Sequence, residues 1–342
     1  MTATAPGADR RLLTAIAPGR VNLIGDHTDT TGGLVLPMAI DRATTVTGRP
    51  GGDAVVLRSV DEPEPATVPL DVGDPASVAP GWARYVAGVV AELRPTNGFA
   101  GEVTTTLPVG AGLSSSAALE VAVALALGFD GPALDLARLA QRGEQRASGV
   151  PCGIMDQLAS AAGRAGHALL IDCHALTVEP VPIPEGVEVR VVHSGQSRAL
   201  AGSAYAERHA ELAAAEEVVG PLRTIVDVAE LHRIGDPMLA RRARHVVTEN
   251  ARVHAFASAL RSGDLTAAGR TMAASHASLR DDFEVSTPAL DALVDRLTAT
   301  PGVHGARLTG AGFGGCAVAL AEPGSLQEGW AARAADGATR RR

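Results

Sequence analysis

The stretch LPVGAGLSSSAALEVAVALAL, residues 107–127, constrains the fold more than any other part of the chain. Leu107-Pro108 reads as the end of a strand, the glycines as a turn, and Ser116–Leu127 as a helix of almost uniformly small or apolar residues. A helix that is apolar nearly all round is expected to be buried. Gly110 and Gly112 let the backbone come close to a ligand. Ser114, Ser115 and Ser116 can cap the helix, and its first N–H groups and positive dipole end form a cradle for an anion. Gly110, Ala111, Gly112, Leu113, Ser114, Ser115 and Ser116 are therefore candidates to hold phosphate. The same stretch also fits a serine-capped buried helix with no ligand. It is not a Walker A loop, which needs GxxxxGK[ST] and its lysine.

Three further stretches carry polar residues in glycine frames. The first, PGRVNLIGDHTDTTGGLVLP over 18–37, gathers an arginine, a histidine and two aspartates between short apolar runs. Packing alone does not call for so many polar side chains. In the second, GVPCGIMDQLAS over 149–160, Asp156 falls in the first turn of a helix, where a lone aspartate is ordinarily a dipole partner. Glu144, twelve residues upstream, reads by itself as a solvated helix residue. The third, LTGAGFGGCAVAL over 308–320, is a tight turn between two apolar runs that needs positive φ and abuts the phosphate loop. No βαβ unit with a ribose-binding acid follows it, which excludes a dinucleotide-binding reading.

Composition narrows the function classes. The net charge is −8, and the one basic run, Arg340-Arg341-Arg342, reads as a frayed tail. A nucleic-acid surface needs clustered cations to displace counterions, so nucleic acid is excluded as a partner. Three dispersed cysteines, Cys152, Cys173 and Cys316, lack disulfide or zinc spacing and fit a reducing cytoplasm. No segment approaches the ~18 uninterrupted apolar residues of a membrane span, and the N-terminus lacks the apolar core of a signal peptide. A cytoplasmic monomer is expected.

Periodicity predicts strands at Leu12–Ala17, Ala43–Gly48, Ala54–Ser59, Gly101–Leu107, His167–Asp172, Val178–Val181 and Val187–His193, with surface loops over 61–80. Helices are predicted at Trp82–Leu93, Ser116–Leu127, Pro132–Ala147 and from Gly153. After His193 come long amphipathic helices, Ala204–Val218, Pro237–Arg261, Leu265–Asp281 and Pro288–Ala299, then strand–turn–strand at Gly302–Leu308 and Gly315–Ala321. A two-domain α+β chain follows, divided into 1–190 and 191–342.

Taken together, Gly19–Gly25 with His27-Thr28-Asp29 and Gly33, then Pro108–Glu120, Cys152–Gln157 and Leu308–Cys316, resemble the motifs of the GHMP kinases in order. Among these the opening and catalytic segments are similar to the galactokinase family. The resemblance spans about residues 17–320. It implies a ribosomal-protein-S5-like N-terminal domain, a ferredoxin-like C-terminal domain, and a cleft between them. It implies ATP-dependent phosphorylation of the anomeric hydroxyl of galactose, with Mg²⁺. Carried over by matching position, Asp156 is the catalytic aspartate and Arg20 the charge-stabilising arginine. Gly110–Ser116 hold ATP phosphates, Trp82 lies near the base, and Ser116 and Glu144 are assigned to magnesium. Asp26, His27, Thr28, Asp29, Gly153 and Tyr205 are the sugar-binding set.

The chain departs from the family pattern inside the opening stretch. Asp26 stands where the family has glutamate, one methylene shorter, and Thr30-Thr31 where it has Tyr-Asn. A substrate altered at that end, or a binder of sugar and ATP that does not transfer phosphate, stays open on these residues.

Overall fold

The computed structural model describes residues 12–108, 112–196 and 201–341; Gly110, Ala111 and Arg342 lie outside them. The strands are β1 (Leu13–Asn22), β2 (Leu34–Val35), β3 (Pro37–Pro50), β4 (Ala54–Ser59), β5 (Ala66–Pro69), β6 (Phe99–Thr105), β7 (His167–Asp172), β8 (Thr177–Pro182), β9 (Glu188–His193), β10 (Val303–Thr309), β11 (Cys316–Ala321), β12 (Trp330–Ala332) and β13 (Thr339–Arg341). The helices are α1 (Ala83–Leu93), α2 (Ser115–Ala126), α3 (Ala133–Ser148), α4 (Met155–Ala162), α5 (Ala201–Val219), α6 (Pro237–Ser262), α7 (Leu265–Asp281) and α8 (Pro288–Thr298).

Three sheets organise these elements. The first runs β13-β1-β3-β6-β4-β5, with only β4 and β6 parallel; the second runs β10-β11-β9-β12; a small third one runs β2-β7-β8. Helices α1 to α4 pack with the first sheet, and α2 lies on β1 and β3, as an all-apolar helix requires. Gly88 of α1 meets Gly143 of α3 so closely that an added Cβ would lie 2.2 Å from the Gly143 carbonyl oxygen. That contact draws α3 inward, and Glu144 rides on it. A second apolar cluster joins the halves, with Leu23, Ile24 and Met38 packed among Val253, Phe256, Met272 and Val318.

Three expectations need correcting. Residues 339–341 are not frayed: β13 pairs antiparallel with β1, Ile16 opposite Thr339 and Thr14 opposite Arg341. Backbone groups on the edge of β1 demand partners whatever the side chains are, and Arg340 also donates from Nη1 to the Phe129 carbonyl at 3.1 Å. The 61–80 segment contains β5, whose Ala66 and Val68 face the core while Thr67 and Pro69 face out. Strand β1 runs five residues beyond Ala17, through a register shift between Pro18 and Arg20, so Arg20 stands on a strand rather than a loop. Strand β9 starts at Glu188 and belongs to the second sheet, while β13 returns to the first.

Candidate active site

The opening stretch, the start of α2, the start of α4 and helix α3 converge. Arg20 donates from Nε to Asp156 Oδ1 at 2.6 Å, from Nη2 to Asp156 Oδ2 at 2.6 Å, and from Nη1 to the Gly112 carbonyl at 2.9 Å. A fork of this kind fixes a carboxylate in plane and direction. The Asp156 side chain keeps 28% of its surface exposed, so it is held yet reachable. The Ser114 hydroxyl also donates to Asp156 Oδ2. Ser114 is therefore not the cap expected of it: it sits at φ 58°, its side chain makes no capping bond, and the first turn of α2 has no capping side chain. Left-handed backbone is costly for serine, and here it turns the hydroxyl toward the aspartate.

Beside this pair the Ser116 hydroxyl donates to Glu144 Oε1 at 2.9 Å, and Gln157 Nε2 donates to Glu144 Oε2. Burial and the charge of Asp156 raise the Glu144 carboxyl to about 7, against the hydrogen bonds of Ser116 and Gln157. Glu144 is thus a half-buried, hydrogen-bonded acid rather than the solvated residue its helix suggests. Among the described residues no group of three His, Cys, Asp or Glu side chains is arranged to hold a metal ion. One hydroxyl and one carboxylate suit Mg²⁺, which keeps several waters and takes phosphate oxygens as its other ligands.

Asp29, Gly153, His27 and Tyr205 form the second part of the site. An added Cβ at Gly153 would lie 2.0 Å from Asp29 Oδ2, so only glycine admits the carboxylate there. Burial, then the charges of Asp156 and Asp26, push the Asp29 carboxyl up to about 7, while Arg20 opposes them. His27 has φ 66° and its ring centroid lies 4.6 Å from Phe283 and 5.7 Å from Tyr205. Burial lowers its pKa to about 3 despite the opposing Asp26 charge, so the ring is neutral near pH 7. With the other nitrogen turned to the Ala311 backbone, Nε2 is buried without a partner and serves as an acceptor. Burial pushes the Tyr205 hydroxyl up, which keeps it protonated.

Two expected sugar ligands are not free. The Thr28 hydroxyl donates within the loop to the Leu34 carbonyl at 2.6 Å, with the Gly25 carbonyl at 2.9 Å, and the residue is wholly buried. It pins the loop shut. Both oxygens of Asp26 are taken: Oδ2 by Arg307 Nη2, and Oδ1 by the Gly310 N–H at 2.8 Å. The short side chain lies back against the 308–316 turn instead of projecting from the loop. The turn has the positive φ expected at Gly310, Gly312, Phe313, Gly314 and Gly315, and its hydrogen bonds reach Asp26, Val285 and Gln196. Trp82 stands at the start of α1, half-buried, its indole donating to the Glu64 carbonyl at 3.1 Å.

Sequence reasoning missed Arg307, His245, Glu249 and Asn250, which grip the opening loop from the other half. Their signal was faint: polar residues at helical spacing on the inner face of α6, and one arginine in the apolar run of β10.

Most of these side chains come from the first half, and Tyr205 and Arg307 reach them from the second. Models of the GHMP kinases N terminal domain and the GHMP kinases C terminal match residues 84–164 and 256–337. A mevalonate kinase from Methanococcus jannaschii shares the fold, with a TM-score of 0.67 at 20% identity over 93% of this chain and 92% of that one. The class is therefore the two-domain GHMP kinase fold. The galactokinase galactose-binding signature matches residues 4–50. A galactokinase of Roseiflexus sp. (strain RS-1) is 46% identical over 91% of this chain and 84% of its own, and that of Homo sapiens is 44% identical over 92% and 85%. The crystal structure of Lactococcus lactis galactokinase complexed with galactose superposes with a TM-score of 0.91 at 33% identity, covering 96% of this chain and 95% of that one. The chain belongs to the galactokinase family.

Proposed function

We propose that this chain transfers the γ-phosphoryl group of ATP to the anomeric hydroxyl of galactose, with Asp156 receiving the proton and Arg20 neutralising charge on the transferring group. The observation that carries this reading is the doubly bonded Arg20–Asp156 pair, set at the junction of the phosphate loop and α2 and reachable from solvent. Phosphoryl transfer passes through a loose transition state, so the protein acts chiefly by positioning and by charge. A carboxylate is too weak a base to ionise a sugar hydroxyl in advance. Asp156 orients that hydroxyl and accepts its proton late. Ser116 and Glu144 would hold Mg²⁺, which when bound supplies positive charge to the phosphate oxygens. Trp82 lies toward the base. The molecule works as a monomer in a reducing cytoplasm; among the described residues no helix is long and apolar enough to cross a membrane.

His27, Asp29 and Tyr205 read the sugar hydroxyls. A sugar with one hydroxyl missing or misplaced leaves such buried groups unpaired, and that makes selection steep. Gly153→Ala is expected to raise the galactose KM by about 10- to 10²-fold through displacement of Asp29, with the ATP KM little changed; initial rates at varied sugar and varied ATP separate the two. The Asp29 pKa gives a second expectation. Its folded-state value, about 7, lies above the usual one, so the stability this acid contributes is present at low pH and is lost as pH rises through 7. Sugar hydroxyls that donate to a carboxylate favour the ionised form. Binding of galactose near pH 7 should therefore release protons, and its KM should fall as pH rises through 7. Calorimetry in buffers of different ionisation enthalpy measures the release, and Asp29→Asn should abolish it.

The deciding experiment is ADP production with galactose, glucose, galactosamine, N-acetylgalactosamine, arabinose and a cyclitol. Galactose is expected to be the best substrate. Another best substrate would overturn the sugar and leave the kinase standing; binding without turnover would indicate a sensor, which the assembled Arg20–Asp156–Ser114 cluster disfavours.

A further inference from the structure

The loop that reads the sugar belongs by chain order to the first half, yet its anchors come from the second. Arg307 of β10 is wholly buried and donates from Nη1 to the Leu23 carbonyl at 3.1 Å and from Nη2 to Asp26 Oδ2. The Gly310 N–H takes the other Asp26 oxygen, and His245 Nε2 lies 3.1 Å from the Asp26 carbonyl oxygen. Glu249 accepts the Gly25 N–H at 3.1 Å, and Asn250 Oδ1 accepts the Leu34 N–H at 2.8 Å. The loop is thus fixed before, within and after its polar segment. The Asp26 side chain retains only 3% exposure and that of Arg307 none, so the pair faces protein on all sides. Directly after Asp26 comes His27 in the left-handed region, a conformation that persists only where the surroundings over-determine it.

We infer that Asp26 and Arg307 act as one latch across the two halves, a positioning pair that holds His27 and Asp29 in reading geometry, and that Asp26 does not itself touch the sugar. The inference rests on the kinase reading above. A latch and a ligand differ in what their loss does. A lost ligand affects one hydroxyl; a lost latch loosens the loop and affects all of them. A misplacement of about 1 Å can cost up to about 10²-fold, so Asp26→Asn is expected to raise the galactose KM about 10-fold or more with the ATP KM unchanged. Mere loss of stability would lower Tm and active enzyme content without that split.

The test compares wild type, D26N, R307M and D26N/R307M on galactose and on its 2-, 3-, 4- and 6-deoxy analogues, which all keep the anomeric hydroxyl. The latch predicts that the D26N penalty is similar on every analogue, and that the double variant is no worse than the poorer single one, because both remove the same interaction. A penalty that vanishes for one analogue identifies Asp26 as a ligand of the missing hydroxyl and overturns the latch. Additive single effects overturn it too. If R307M does not fold, the D26N analogue series alone decides. Wild-type turnover of galactose, measured first, tests the kinase reading separately; should another sugar be the better substrate, the same comparison runs on that sugar and its deoxy forms.

Discussion

Asp156→Asn is expected to lower kcat by about 10²- to 10⁴-fold, the range for loss of a positioned proton acceptor, in a protein that still folds. Asparagine has the shape of aspartate, so α4 and its packing survive. The chemistry changes in two ways. An amide oxygen is a far poorer proton acceptor than a carboxylate oxygen, and the amide cannot take both arms of the Arg20 fork together with the Ser114 hydroxyl. One N–H group must turn away, and the pairing that aims Arg20 is lost with it. ATP and sugar binding should persist, measurable by calorimetry, while single-turnover phosphoryl transfer collapses. Near-normal turnover by a folded Asp156→Asn protein would remove Asp156 from the chemistry.

Arg20→Met should cost about 10³-fold or more in kcat, since arginines that neutralise a transferring phosphoryl group contribute on that scale. The guanidinium does three jobs from one position. It orients Asp156, it ties to the Gly112 carbonyl at the foot of the phosphate loop at 2.9 Å, and it brings a fixed charge to the site. Methionine keeps much of the packed stem and deletes all three. Arg20→Lys is the informative companion: the charge stays, but an ammonium cannot bind both carboxylate oxygens in plane, so recovery should be small. The double variant Arg20→Met with Asp156→Asn should fall little below Arg20→Met alone, because the two side chains work as a unit. Full additivity would mean that they act independently.

Much of this site is legible in the residues. The small-residue run from Ser116 to Leu127 has no use outside a buried helix, and its glycine approach has no use without a close partner. Periodicity places α3 and α4, and hence Glu144 and Asp156, close to where they stand. Motifs mark positions but not what each side chain touches. Asp26 and Asp29 sit in the same short segment, yet one is clamped by Arg307 while the other faces Gly153. That difference arises from residues hundreds of positions away in the chain. The Ser114 hydroxyl turns to Asp156 because of one left-handed residue that no propensity signals. Glu144 is polar on paper and half-buried in fact, because paired glycines bring α3 against α1. Strand β13 was hidden for another reason: strand pairing there depends on open backbone groups, and three arginines in a row advertise solvent.

The pairing of β13 with β1 also bears on how the molecule is made. Strand β1 carries Arg20, and among the described residues its outer edge pairs with residues 339–341. Synthesis proceeds from the N-terminal end, and early segments begin to fold before late ones exist. The strand that carries Arg20 therefore emerges from the ribosome with an unprotected edge and keeps it until residues 339–341 have been translated. A long-range closure of this kind forms late in folding. Nascent chains of this protein thus carry an open strand edge beside Arg20, and its protection arrives late.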